Sequence, residues 1–75
     1  MKILVKMIGP FIYDAGFNEK DFEFSNPLSV EELLSELHLK QGRPKIIVRN
    51  GHGIGLKDQI ADGDRIVIAP IYSGG

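Results

Sequence analysis

Leu28-Ser29-Val30-Glu31-Glu32-Leu33-Leu34-Ser35-Glu36-Leu37, residues 28–37, is the stretch around which the rest of the chain can be placed. Ser29 followed three residues later by Glu32 is a capping box, in which the serine hydroxyl accepts from the Glu32 amide and the Glu32 carboxylate accepts from the Ser29 amide. Leu28 before the cap and Leu33 after it are spaced as a hydrophobic staple, so a helix starts at Ser29. Val30, Leu33, Leu34 and Leu37 lie on one stripe at helical spacing, and Gly42 followed by Pro44 blocks continuation. One face of this helix is buried. Glu31, Glu32 and Glu36 make up its solvated face.

Toward the N-terminus, Ile3, Val5 and Met7 alternate with Lys2, Leu4 and Lys6, which predicts a strand from Lys2 to Ile8 with the first set inward. Gly9 ends it, Pro10 suits the first position of a helix and Gly16 suits the left-handed residue beyond a helix end, so one turn of helix fits Pro10 to Ala15. A second strand runs from Asp21 to Ser25, with Phe22 and Phe24 on one face as anchors of the core. Toward the C-terminus, Lys45 to Arg49 is a third strand, read with Ile46 and Val48 inward and Ile47 and Arg49 outward. Asn50-Gly51 is a tight-turn signal, and the glycines at 51, 53 and 55 predict a loose connection after it. Asp62-Gly63-Asp64 is a further turn, and Arg65 to Ala69 is the last strand, with Ile66 and Ile68 inward and Pro70 ending the pairing.

Strand, strand, helix, strand, strand is an α+β pattern: a sheet with one helix lying across it. It predicts a β-grasp, a ubiquitin-like mixed sheet of four to five strands with one main helix packed on it. A chain of 75 residues can hold only one thin core, so residues 1–75 are expected to form a single domain, with 70–75 as a flexible C-terminal tail. With 43% hydrophobic and 25% charged residues the composition is that of an ordinary globular protein. The chain has no cysteine, which excludes disulfides, thiolate chemistry and cysteine zinc sites. A net charge of −1 gives no strong attraction to nucleic acid or to anionic lipid, so neither nucleic acid nor a membrane is expected as a partner. The opening has no signal-peptide cleavage pattern and no apolar run long enough to span a bilayer, so the expected location is cytoplasmic.

Three stretches carry a family resemblance: the Asn50-Gly51 turn, the run Asp62-Gly63-Asp64-Arg65-Ile66, and the ending Pro70-Ile71-Tyr72-Ser73-Gly74-Gly75. Together they resemble the MoaD/ThiS family of ubiquitin-like sulfur carriers over nearly the whole chain. The ending is closer to the molybdopterin-synthase small subunit than to the thiamine-pathway carrier, and Met1-Lys2-Ile3-Leu4-Val5-Lys6 resembles the first strand of ubiquitin. The resemblance implies that an ATP-dependent activating enzyme (MoeB/ThiF-like) adenylates the Gly75 carboxylate and that a persulfide then displaces AMP to leave a thiocarboxylate. The sulfur would go to a MoaE-like synthase subunit for molybdopterin or the related tungsten cofactor. Alternatives are a thiamine-pathway carrier serving thiazole synthase and a ubiquitin-like covalent modifier.

The residues fit such chemistry. A carboxylate that must enter another protein's active site benefits from a tail without side chains, which Gly74 and Gly75 supply. Adenylation provides the leaving group, so the chain needs no nucleophile, metal or bound cofactor of its own; it is a co-substrate rather than an enzyme. A non-covalent β-grasp interaction domain is the alternative of a different class, and for it the tail would be dispensable.

Strand alternation adds a docking surface. Ile8, Ile47, Val67 and Ala69 are expected to form one exposed apolar patch, leading through Pro70 and Ile71 to Tyr72 and Ser73 and binding both partners. His38 near the helix end and His52 in the glycine-rich turn have no carboxylate at ligand spacing and are expected to be surface residues. The Gly51-x-Gly53-x-Gly55 run lacks the lysine-serine pair and helix start of a phosphate loop.

Overall fold

Ile3, Val5 and Met7, the inward set of the first strand, are at most 3% exposed in the computed structural model, which describes residues 1–39 and 44–71. That strand, β1 (Lys2–Met7), is followed by α1 (Phe11–Ala15) and β2 (Glu19–Glu23). Next come the two-residue β3 (Leu28–Ser29) and the main helix α2 (Val30–Glu36). The chain then forms β4 (Lys45–Arg49), β5 (His52–Ile54), the short β6 (Gln59–Ile60) and β7 (Arg65–Pro70). The main sheet has five strands in the order β2-β1-β7-β4-β5, with β1 and β7 parallel and the other pairs antiparallel. A separate two-stranded ladder joins β3 to β6. This is the mixed β-grasp sheet, with two helices among the described residues.

The capping box at Ser29 is present in both directions, at 2.9 Å from the Ser29 amide to Glu32 Oε1 and 3.2 Å from the Glu32 amide to Ser29 Oγ. Two further donors of the helix start, the amides of Val30 and Glu31, donate to the carbonyls of Asp58 and Leu56. The groups that a helix start leaves without partners are thereby satisfied by the loop before β6. Val30 and Leu33 are fully buried, and the core continues through Phe11, Ile60, Ile66 and Ile68. Each such side chain contributes about 1.5–3 kcal/mol by leaving water. No helix among the described residues is long and apolar enough to cross a membrane.

Several expectations need correction. α2 ends earlier than the Gly42 stop signal: Leu37 caps it and His38 takes the left-handed conformation at φ 56°. Gly42 itself lies outside the described residues. Phe22 and Phe24 are half-buried against the core rather than inside it, because β2 is an edge strand; they stack on each other at 6.0 Å, and Phe22 also meets Phe17 at 5.5 Å. Phe11, at the start of α1, is the fully buried phenylalanine. The glycine-rich segment after Asn50-Gly51 is not a loose connection, since His52–Ile54 pairs with β4 as a hairpin whose turn has Asn50 at φ 50° and Gly51 at φ 88°. Positive φ at both turn residues gives the type of two-residue turn that matches strand twist.

Candidate functional site

The chemistry expected of this chain resides at its C-terminus, so the site begins with what holds β7. At the strand's start, Asp64 is only 8% exposed. Its carboxylate accepts from the Ala61 amide at 2.8 Å and from Asn50 Nδ2 at 3.3 Å, and lies 4.0 Å from Arg49. Asn50 Oδ1 in turn accepts from the Arg65 amide at 2.9 Å. The β4–β5 turn is thus tied to the first residue of β7 by side chains. Along its length β7 lies between β1 and β4, and its last pair is Pro70 with Lys45.

Pro70 therefore belongs to the sheet, where it had been expected to start the tail. Its missing N–H costs nothing on the β1 side, because that ladder ends at Met7 opposite Ile68. Ile71 follows, 57% exposed, with its amide 3.5 Å from the Pro44 carbonyl. Tyr72, Ser73, Gly74 and Gly75 lie outside the described residues.

The outer face of the sheet brings together some of the expected docking residues and excludes one. Val67 and Ala69 are half-buried on the outer side of β7, and Ile8, one residue past the end of β1, stands level with Ala69. Ile47 is not among them. It is 4% exposed and pairs with the fully buried Ile68, so it belongs to the core. Cross-strand partners share a face. Ile46, opposite Ala69, and Val48, opposite Val67, therefore hold the outward places.

The reason lies in the ends of β4. Its inward phase is Lys45-Ile47-Arg49, with one apolar residue between two long cations. The Lys45 ammonium reaches over the Phe11 ring at 5.6 Å, and Arg49 reaches Asp64 and the Gln59 carbonyl. Both stems lie along the core margin with their charged heads at its edge. Counting apolar residues chose the wrong phase, and Ile46 and Val48 were missed. The signal that could have recovered them is the outward pair Val67 and Ala69, which requires apolar neighbours across the ladder.

The corrected surface is Ile8, Ile46, Val48, Val67 and Ala69; three of these, Ile8, Val48 and Val67, line a depression of about 380 Å³ bounded also by Lys6, Asn50, Gly51 and Arg65. Toward β2 the face becomes charged, with Lys2 opposite Glu23 and Lys6 opposite Glu19. His38 and His52 are both exposed, and no group of three potential metal ligands occurs among the described residues.

The family model described as the ThiS family matches residues 6–75. Among curated proteins none matches at the sequence level. Similar solved structures include a putative molybdopterin converting factor, subunit 1, from Pyrococcus furiosus, 25% identical over 93% of this chain and 97% of that one, with a TM-score of 0.77. A complex of subunits 1 and 2 of molybdopterin-converting factor from Helicobacter pylori contains a chain 26% identical over 100% of both chains, with a TM-score of 0.66. The small archaeal modifier protein 1 (SAMP1) from Methanosarcina acetivorans shares the fold at 23% identity over 99% of this chain and 96% of that one, with a TM-score of 0.71.

Proposed function

The chain belongs to the ThiS family, and from that premise we propose that it carries sulfur as a thiocarboxylate on Gly75, for molybdopterin or tungsten cofactor biosynthesis. The coarser statement, a ThiS/MoaD-like sulfur carrier or ubiquitin-like modifier, is the common ground of the family match and the structural neighbours. What supports a carrier that works through its C-terminus is the extent of the family match, which runs to residue 75 and so includes the Gly74-Gly75 pair; what supports the molybdopterin branch is the similarity to the two molybdopterin-converting-factor subunits. The similarity to a subunit 1 found in complex with its subunit 2 supports a synthase subunit as the sulfur acceptor.

In the proposed reaction the Gly75 carboxylate attacks the α-phosphate of ATP in an activating enzyme, expelling pyrophosphate and forming an acyl-adenylate. A persulfide sulfur of the partner then attacks the acyl carbon, and AMP leaves with the carboxylate oxygen. A second thiol of the partner cleaves the S–S bond, leaving the thiocarboxylate. Both protein partners supply the catalytic groups; this chain supplies the carboxyl carbon and its presentation. Ile8, Ile46, Val48, Val67 and Ala69 form the docking surface, with Pro70 and Ile71 leading from it to Tyr72 and Ser73. Sharing one surface makes activation and donation successive rather than simultaneous. A lysine amine attacking the same adenylate would make the chain a covalent modifier instead, so the two uses differ in the nucleophile the partner presents.

Deleting Gly75 tests the reading. The carboxylate would then stop about 3.5 Å short of its place, enough to abolish attack on ATP. Pyrophosphate release with the activating enzyme is expected to vanish while the fold persists. Unchanged release would overturn the carrier mechanism, and full partner function without Gly75 would identify a non-covalent interaction domain.

A further inference from the structure

The main sheet ends at β2 on one side and at β5 on the other, and the two edges differ in charge. β2 is Glu19-Lys20-Asp21-Phe22-Glu23, with a charge at every position but Phe22. A second copy paired antiparallel about the central Asp21 would set Asp21 against Asp21 and Glu19 against Glu23, like charges directly opposite one another. Such an edge repels its own copy, which is one way that sheets avoid edge-to-edge pairing. β5, His52-Gly53-Ile54, carries no Asp, Glu, Lys or Arg and so has no such protection.

The hairpin register fixes which backbone groups β5 leaves open. Bonded and non-bonded pairs alternate along an antiparallel ladder, and the two-residue turn at Asn50-Gly51 is closed by the bonded pair Arg49 and His52. Val48 and Gly53 are therefore a non-bonded pair. On the other side of β4 the Asn50 amide donates to the Arg65 carbonyl at 2.9 Å, so the next bonded pair along that ladder is Val48 with Val67. The Val48 backbone is thus directed toward β7, and the Gly53 N–H and C=O point off the sheet, where no strand lies among the described residues. Two residues on, the Gly55 amide and carbonyl are both engaged by Asp58, the amide donating to Asp58 Oδ2 at 2.7 Å. Nothing inside the chain demands glycine at 53: its φ is outside the left-handed region, and a Cβ there would meet no atom within 4 Å. A strand glycine without such a reason marks a place where another backbone comes close.

One residue with both groups turned outward is self-complementary. Across a two-fold axis each Gly53 can donate to and accept from the Gly53 of the other copy, which is the bonded antiparallel pair, with each His52 opposite the other copy's Ile54. No like charges meet in that register. Apolar surface lies beside it: Ile54 and the 49% exposed Leu56 line, with Leu34 and Ile71, a groove of about 690 Å³ between α2 and the hairpin. We propose that β5 pairs with the β5 of a second copy, antiparallel about Gly53, joining the two five-stranded sheets into one. A contact three residues long buries far less than the about 800 Å² per partner of a standard interface, so the pair forms only at high concentration. The joint is separated from β7 by β4 and is independent of the carrier reading.

The test follows the Gly53 amide of the full chain by hydrogen exchange, with sedimentation equilibrium in parallel, from about 50 μM to about 1 mM and without ATP or any partner. Exchange at Gly53 is expected to slow about fivefold or more over that range as a dimer appears, while the amides of β2 keep their rates. Gly53→Lys adds a side chain in open space and sets two ammonium groups against each other at the axis. It is expected to remain monomeric at about 1 mM with the amides of β1 and β7 unchanged as proof of fold. A monomer whose Gly53 exchange is independent of concentration would overturn the proposal. So would a dimer that persists in Gly53→Lys, by assigning the contact to another face. Protection of Gly53 that appears only when the activating enzyme is added would also overturn it, by giving the edge to a foreign strand. Because no activation step is involved, the pairing can fail while the carrier mechanism stands, and the reverse.

Discussion

At its start β7 is gripped by side chains from two neighbouring segments, with Asp64 bonded to Ala61 and Asn50, and Asn50 bonded back to Arg65. At its end, among the described residues, the strand has the ladder pair of Pro70 with Lys45 and then the Ile71 amide 3.5 Å from the Pro44 carbonyl. The difference is between a fixed root and an exit. A central strand anchored at one end and flanked by β1 and β4 along its body gives the chain a defined point of departure after Pro70. The buried polar contacts of Asp64 hold the start of the strand.

The largest expected effect is in the body of the strand, where β7 meets β4. Ile47→Ala removes a buried side chain against Ile68 and is expected to cost about 3 kcal/mol in urea unfolding. Ile46→Asp, one residue away on the outer face, is expected to cost less than about 0.5 kcal/mol while weakening both partners. Equal losses at 46 and 47 would mean that the two faces of β4 are not distinct.

The next effect compares the ends themselves. Asp64→Ala leaves the Ala61 amide and Asn50 side chain without their acceptor and is expected to cost about 2 kcal/mol, whereas Ile71→Ala is expected to cost less than about 0.5 kcal/mol. Similar costs would erase the contrast between root and exit.

A smaller effect, remote from both ends, gives a control. Ser29→Ala removes the helix cap at about 1 kcal/mol. It also removes the smaller of two causes of a pH dependence: hydrogen bonding from the Ser29 backbone amide, which alanine keeps, and then from the Ser29 side chain, which it lacks, lowers the Glu32 pKa below its usual 4.5. A depressed carboxylate stabilises the fold above its unfolded pKa, and that contribution is lost as pH falls from about 4.5 through the folded value. The wild-type chain should lose this increment in acid, and Ser29→Ala, which keeps the amide and lacks the hydroxyl, should lose a smaller one. An unchanged acid slope in the variant would show that the Ser29 hydroxyl has no part in holding the Glu32 pKa down.

Much of this was legible because local signals agreed with the global pattern. The alternation of β1, the capping box at Ser29 and Glu32, and the Asn50-Gly51 turn each have one reading, and each stands in the structure as read. The phase of β4 was not legible, because Lys45-Ile46-Ile47-Val48-Arg49 has apolar residues on both faces and the inward face ends in two cations whose partners, Phe11 and Asp64, are distant in sequence. β5 was hidden by its glycines, and its pairing comes from the hairpin turn rather than from its own propensity. The early end of α2 was hidden because His38, not a glycine, takes the left-handed residue. The reactive end was visible as Gly74-Gly75; the groove beside its root was not, since Leu34, Ile54, Leu56 and Ile71 are brought together only by the packing of α2 beside the hairpin.

The most direct measurement is the intact mass of the chain after incubation with its activating enzyme, ATP and a persulfide donor. Replacement of one Gly75 carboxylate oxygen by sulfur predicts a gain of about 16 Da, absent without ATP and absent from the Gly75-deleted chain. An unchanged mass under conditions in which the enzyme releases pyrophosphate on this chain, or the same gain in the deleted chain, would contradict the account.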